Sequence, residues 1–182
     1  PKTYTNAGGL FAGGGSYTTL KISRTTAAEV TGSSDVTLDA GGLTLLATSA
    51  TYGAGFSSQK SGGFVDIGVL EVTSTLDNKT LAGIAPTATI RSAGGAVTVK
   101  AIADNYAESK IASGGGGAIK STESEPKATV NATTQASAEG SILSVGATLP
   151  ANVIVRAEAT DRTSAGSETA GGGAVNVGSS SV

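Results

Sequence analysis

The chain has 182 residues, a formal net charge of −2, and no His, Cys, Met or Trp. With only 14% charged residues it lacks the clustered Lys and Arg that draw nucleic acid, and with 38% apolar residues and four Pro it departs from the composition of disordered chains. The missing Cys and His exclude disulfides, thiolate metal sites and the commonest catalytic base, and the 4% aromatic content leaves a narrow core of Ala, Val, Ile and Leu.

Read along the chain, the opening PKTYTNAGG has no Met, basic stretch or apolar run of a signal peptide, so a mature product or a piece of something longer is expected. AGGGSYTTL (12–20) is a Gly run leading into a strand-like stretch. VTLDAGG (36–42) and LTLLATSAT (43–51) follow, with Val36, Leu38, Leu43 and Leu45 alternating with Thr37, Asp39 and Thr44. A period of two with β-branched residues predicts strands, and the Gly pair between them predicts a turn. SGGFVDIG (61–68) opens a second unit, continued by ATIRSAGG (88–95) and VTVKAIADN (97–105), where Val97 and Val99 alternate with Thr98 and Lys100. AIADNYAESKIAS (101–113) is the best helix candidate, but its apolar residues form no clean stripe and no capping box opens it. SGGGGAIK (113–120) opens a third unit. ILSVGATLPA (142–151) follows, with Pro150 in place of the Gly pair, and then VIVRAEATD (153–161), where Val153 and Val155 are the inward candidates. AGGGAVNVG (170–178) begins a fourth, partial unit.

These blocks keep one phase. Phe64-Val65 matches Ala118-Ile119 at an offset of 54 and Ala174-Val175 after a further 56; the blocks at 43, 97 and 153 repeat with the same two offsets. AGGGSYTTL is a looser copy about 48 residues before the first match. The pattern predicts an all-β chain: one repetitive parallel β-solenoid domain over 1–182, with repeats near 12–60, 61–112, 113–169 and a partial 170–182. Each repeat is read as two to three rungs around a dry aliphatic core, giving seven to nine rungs and a rod of roughly 35–45 Å at the spacing of paired strands. Gly62, Gly63, Gly114, Gly115, Gly116, Gly117, Gly171, Gly172 and Gly173 are assigned to corners, where positive φ favours glycine. Leu43, Leu45, Val97, Val99, Val153 and Val155 are assigned to the core. The alternative is a pilin-like β-sandwich that polymerises by lending a strand to its neighbour.

The phrases GGGAVNVG, GGFVDIG and AGGAVTVKA resemble the Gly/Ala/Thr-rich repeats of filamentous-haemagglutinin-like and related giant bacterial surface adhesins. The resemblance covers about residues 12–178 through degenerate, compositional motifs. It implies a right-handed parallel β-helix, export to the cell surface, and a role as stalk, fibre or adhesin, and it carries over no catalytic residue. Pro150 departs from the pattern.

Chemistry has few materials here. Asp35, Asp39, Asp66, Asp77, Asp104 and Asp161 are scattered, Asp161-Arg162 and Asp104 follow related strands, and turn or surface roles suit them better than catalysis. GGFVD (62–66) lacks the third glycine of a calcium β-roll, so no cofactor is expected beyond an incidental Ca²⁺ at a turn. SGGGGAIKS has its Lys in the wrong register for a phosphate loop. The Thr pairs at 18–19, 25–26 and 133–134 keep no fixed spacing for an ice-binding face. Asn78-Lys79-Thr80 and Asn131-Ala132-Thr133 match a glycosylation triplet that arises easily by chance in Thr-rich sequence. No apolar run approaches the ~20 residues of a membrane-spanning helix. The expected function is therefore structural and not enzymatic: a bacterial extracellular fibre or adhesin stalk at the cell surface. Its partners would be further copies end to end, more of the same chain, or host or matrix carbohydrate. A carbohydrate-binding or carbohydrate-cleaving β-helix is the reading from another class.

Overall fold

The computed structural model describes residues 1–146, 152–172 and 174–180. Among them every regular element is a strand: β1 (Lys2–Val30), β2 (Asp35–Leu38), β3 (Leu43–Ile84), β4 (Thr89–Ser92), β5 (Val97–Gly116), β6 (Ile119–Ala138), β7 (Ser141–Ser144), β8 (Val153–Gly172) and β9 (Val175–Ser180). The segment 101–113, the one helix candidate, lies inside β5. Its Ala101, Ala103 and Ala107 face inward at alternate positions and are buried, so strand period overrides the helical propensity of alanine.

All the strand pairings are parallel, unlike the antiparallel hairpins of a pilin-type sandwich. The pairing interval follows the sequence repeat. Lys2 pairs with Phe56, Leu43 with Val97 and Val65 with Ile119, each 54 residues on. The interval narrows to 52 between Thr89 and Ser141, then widens to 56 between Val97 and Val153 and between Ile119 and Val175. The connections account for both changes: residues 139–140 replace 85–88, and residues 145–152 replace 93–96. The departure predicted at Pro150 falls in this longer connection and lies outside the described residues.

One repeat therefore supplies one layer, not two or three rungs. Residues 11–30, 35–38 and 43–62 form the first layer; 65–84, 89–92 and 97–116 the second; 119–138, 141–144 and 153–172 the third. Residues 2–9 add a partial layer on one side and 175–180 on the other. Each layer has two limbs of 20 residues, each roughly 65 Å long, whereas three layers stack to only about 10–15 Å. The body is a broad, shallow stack rather than the slender rod expected. The pairing also identifies the first glycine-run copy as Gly8-Gly9, which lies under Gly62-Gly63, in place of the later AGGG.

The two limbs of a layer run in opposite directions and meet through their inward side chains. Within a layer Ser57 Oγ donates to Ser16 Oγ at 2.9 Å and Asn78 Nδ2 donates to Asn105 Oδ1 at 2.8 Å, and between the first and second layers the Ser49 and Thr80 hydroxyls bond at 2.6 Å. The interior is thus not uniformly aliphatic. One apolar cluster, including Ile84, Ile90, Val97 and Val99, sits beside the short strands, and a second joins Leu70, Val72 and Ile111. Buried Ser57, Ser74, Asn78, Asn105 and Ser109 lie between and around them. Full burial of each Val or Ile stabilises the fold by about 1.5–3 kcal/mol. The polar stretch contributes less and fixes register, because a slip would leave buried groups unpaired.

Candidate functional site

The most regular features among the described residues are the layer-to-layer contacts. They begin at the glycine run. Gly114 to Gly117 span the end of β5 and the bend into β6. A Cβ on Gly115 would sit 2.0 Å from the Ser61 carbonyl oxygen, and one on Gly117 would sit 2.3 Å from that of Gly63. The nearest neighbour of such a Cβ on Gly114 or Gly116 is 3.9 or 3.8 Å away. The contact recurs one layer down, where a Cβ on Gly63 would lie 2.3 Å from Gly9 O. In each case the obstructing carbonyl is 54 residues earlier, so the glycines recur because the layers do.

This corrects the assignment of these residues to positive-φ corners. Among the described residues positive φ occurs at Gly9, Gly32, Gly41, Gly94 and Gly146, not at Gly62, Gly63, Gly114 to Gly117, Gly171 or Gly172. Gly63, Gly115 and Gly117 are constrained by close carbonyl approach instead, and a Cβ on Gly171 would lie 2.9 Å from Lys120 Nζ. Gly62 and Gly172 have room for a side chain, and Gly173 lies outside the described residues.

The predicted core residues fall on two shared ladders, Leu43–Val97–Val153 and Leu45–Val99–Val155. Val97 and Val99 are fully buried, and Leu43 and Leu45 are half-buried. Val153 and Val155 differ from expectation: they remain 46% and 45% exposed, because among the described residues no strand pairs with the far side of β8.

Outward-facing residues also form ladders. Tyr52 and Tyr106 stack with ring centroids 5.4 Å apart, and the Arg162 guanidinium lies 5.7 Å from the Tyr106 centroid. Arg162 reaches back 2.8 Å to Asp104, and Arg91 reaches 3.2 Å to Asp35. The Lys110 ammonium and the Tyr52 hydroxyl, both bonded to Glu108, hold its carboxyl below the usual range, and the same contact raises Lys110. Lys21 and then Asn131 lower Asp77 in the same way, Lys100 lowers Glu158, and Glu125 raises Lys127. Each pair keeps at least one partner open to solvent and is individually weak.

The other carboxylates are dispersed. Asp161 accepts from Asn105 Nδ2 at 2.8 Å, extending a chain from Asn78 across two layers. Among the described residues no three His, Cys, Asp or Glu side chains group as metal ligands, and no helix is long and apolar enough to cross a membrane. Of the glycosylation triplets, Asn78 is buried, while Asn131 faces outward and bonds to Asp77. Lys120, the Lys of the presumed phosphate-loop mismatch, is buried beside Asp66 in the ladder and opens no helix. Sequence reading missed Gln59, Asn105, Asp66 and Lys120 as interior residues. Asn105 alternates with buried Ala103 and Ala107, a signal that its polarity masked, whereas Gln59 alternates with serines and the apolar neighbours of Asp66 and Lys120, Ile67 and Ile119, face outward.

Comparison with family models, with curated proteins and with solved structures gives no significant match to this chain.

Proposed function

We propose that the chain is a segment of a parallel β-solenoid with a coil of about 54 residues, serving as a stiff structural element of an extracellular bacterial fibre or adhesin stalk. Its work is mechanical. Parallel backbone hydrogen bonds hold each layer to the next, the interior ladders fix their register, and further layers join along the axis. The observation that supports this reading is in-register parallel pairing through three successive repeats, ending on β8 with half-exposed Val153 and Val155. An unpaired edge with exposed core residues is a template for another strand. The test is assembly of the purified chain, followed by electron microscopy and fibre diffraction. Filaments with a reflection at about 4.8 Å along the axis support the proposal. A chain that stays monomeric at millimolar concentration overturns the end-to-end role, and turnover of any member of a polysaccharide panel overturns the purely structural one.

A further inference from the structure

The ladder Asp66–Lys120 places a carboxylate and an amine on neighbouring layers at directly paired positions, and both side chains are only 1% exposed. Two unpaired charges in a dry interior are costly, yet among the described residues neither joins an ion pair. Asp66 Oδ2 accepts a short hydrogen bond from Ser61 Oγ, whereas Asp66 Oδ1 is buried with no partner. Lys120 Nζ donates to the Ala170 carbonyl at 3.0 Å. Glycines line its path: a Cβ on Gly171 would meet Nζ at 2.9 Å and the Gly115 carbonyl at 3.1 Å. The molecule thus spends side-chain space on a buried lysine whose opposite charge, one layer away, keeps a free oxygen.

We propose that Lys120 and Asp66 condense into a side-chain amide that covalently joins the second and third layers. Paired backbones about 4.8 Å apart put Asp66 within the reach of about 6 Å that summed bond lengths give Lys120 Nζ from its own Cα, so a change of lysine rotamer away from the Ala170 carbonyl is the movement the link requires. One proton passes from the Lys120 ammonium to Asp66 Oδ1, the neutral Nζ attacks Cγ, the Nζ–Cγ bond forms, and the Cγ–Oδ1 bond breaks. Two of the three ammonium protons leave with Oδ1 as water, and the third stays on the amide nitrogen. Oδ2 becomes the amide oxygen and keeps its hydrogen bond from Ser61. Charge and atoms balance with no other reactant, and no atom changes oxidation state. The step removes both buried charges and the orphaned oxygen together. Fixed neighbours in a water-poor site favour such a reaction through high effective concentration.

Intact-mass spectrometry of the purified, folded full chain tests this directly. The expected mass is about 18 Da below the sequence mass, the loss of one water. After unfolding and tryptic digestion, residues 61–79 are expected joined to residues 111–127, with Lys120 uncleaved. Lys120→Arg, which keeps the charge but cannot make this link, and Asp66→Ala are each expected at their full sequence mass. A wild-type chain at its sequence mass, with Lys120 cleaved, overturns the proposal and leaves a buried, unlinked pair. A loss of water that persists in Lys120→Arg overturns it as well, because the dehydration then lies elsewhere. The wild-type mass decides the matter even where a variant fails to fold.

Discussion

Alanine at Gly117 and at Gly116 separates the layer contact from every other property of glycine. The two residues are adjacent in one run, so the same substitution changes the unfolded chain equally. In the folded chain a Cβ on Gly117 lies 2.3 Å from the Gly63 carbonyl oxygen, and one on Gly116 lies 3.8 Å from that of Gly172. Ordinary contact for such a pair begins at about 3.2–3.4 Å, so the bend must open by about 1 Å, against limbs pinned by pairing on both sides. Overpacking of this kind costs about 1–3 kcal/mol, and the reduced freedom of the unfolded chain returns about 0.4–1 kcal/mol. Gly117→Ala is therefore expected to destabilise by about 1–2 kcal/mol, while Gly116→Ala is neutral or stabilising by up to about 1 kcal/mol. Urea unfolding measures both through the transition midpoint at constant slope. Equal effects at the two positions, or a more stable Gly117→Ala, would refute the claim that recurring layers dictate the recurring glycines.

Other substitutions probe the interior. Ile90→Ala is expected to cost about 2–4 kcal/mol, since Ile90 is fully buried between Val36 and Ile142, whereas Val155→Ala at the exposed end of its ladder should cost less than 1 kcal/mol; urea midpoints compare them. Asn105→Ala removes the acceptor of Asn78 and the donor to Asp161, and a loss of about 1–3 kcal/mol is expected by thermal or urea unfolding. The pH profile of the urea midpoint follows the exposed pairs. Asp77, Glu108 and Glu158 have lowered folded values, so their contribution is present above about pH 4 and fades as pH falls through those values. Lys110 and Lys127 have raised folded values, so theirs is present below about pH 10 and fades as pH rises further. A flat midpoint between about pH 5 and 9 is expected, and a steep change inside that window would contradict these assignments.

Much of this organisation is legible in the residues. Leu43–Leu45, Val97–Val99 and Val153–Val155 announce both the strands and their register, and the offsets of 54 and 56 read from them are the pairing intervals of the structure. The layer count was not legible. The two separate strand blocks in each repeat suggest two to three rungs, but Ser57, Ser58 and Gln59 carry β3 straight through a polar stretch without turning. Polarity at alternate positions usually marks a solvated face. Here Ser57, Ser74, Asn78, Asn105 and Ser109 alternate inward and hydrogen-bond across the limbs, to Ser16, to each other or to backbone carbonyls. That pairing depends on residues far apart in sequence, which no local pattern reveals. The glycine run was legible as a recurring landmark, but its cause lies in carbonyls one layer away.

The central claim is that one repeat makes one layer, so that residue i of the first layer pairs in parallel with residue i+54 of the second. Because the chain has no cysteine, Thr44→Cys with Thr98→Cys tests it cleanly. Paired Cα atoms fall within the roughly 4.4–6.8 Å that a disulfide spans. Rapid, near-complete oxidation of the folded double variant is expected, with none for outward pairs spaced at a half or a third of that interval. Cross-linking of those closer pairs, with 44 and 98 remaining reduced, would contradict the account.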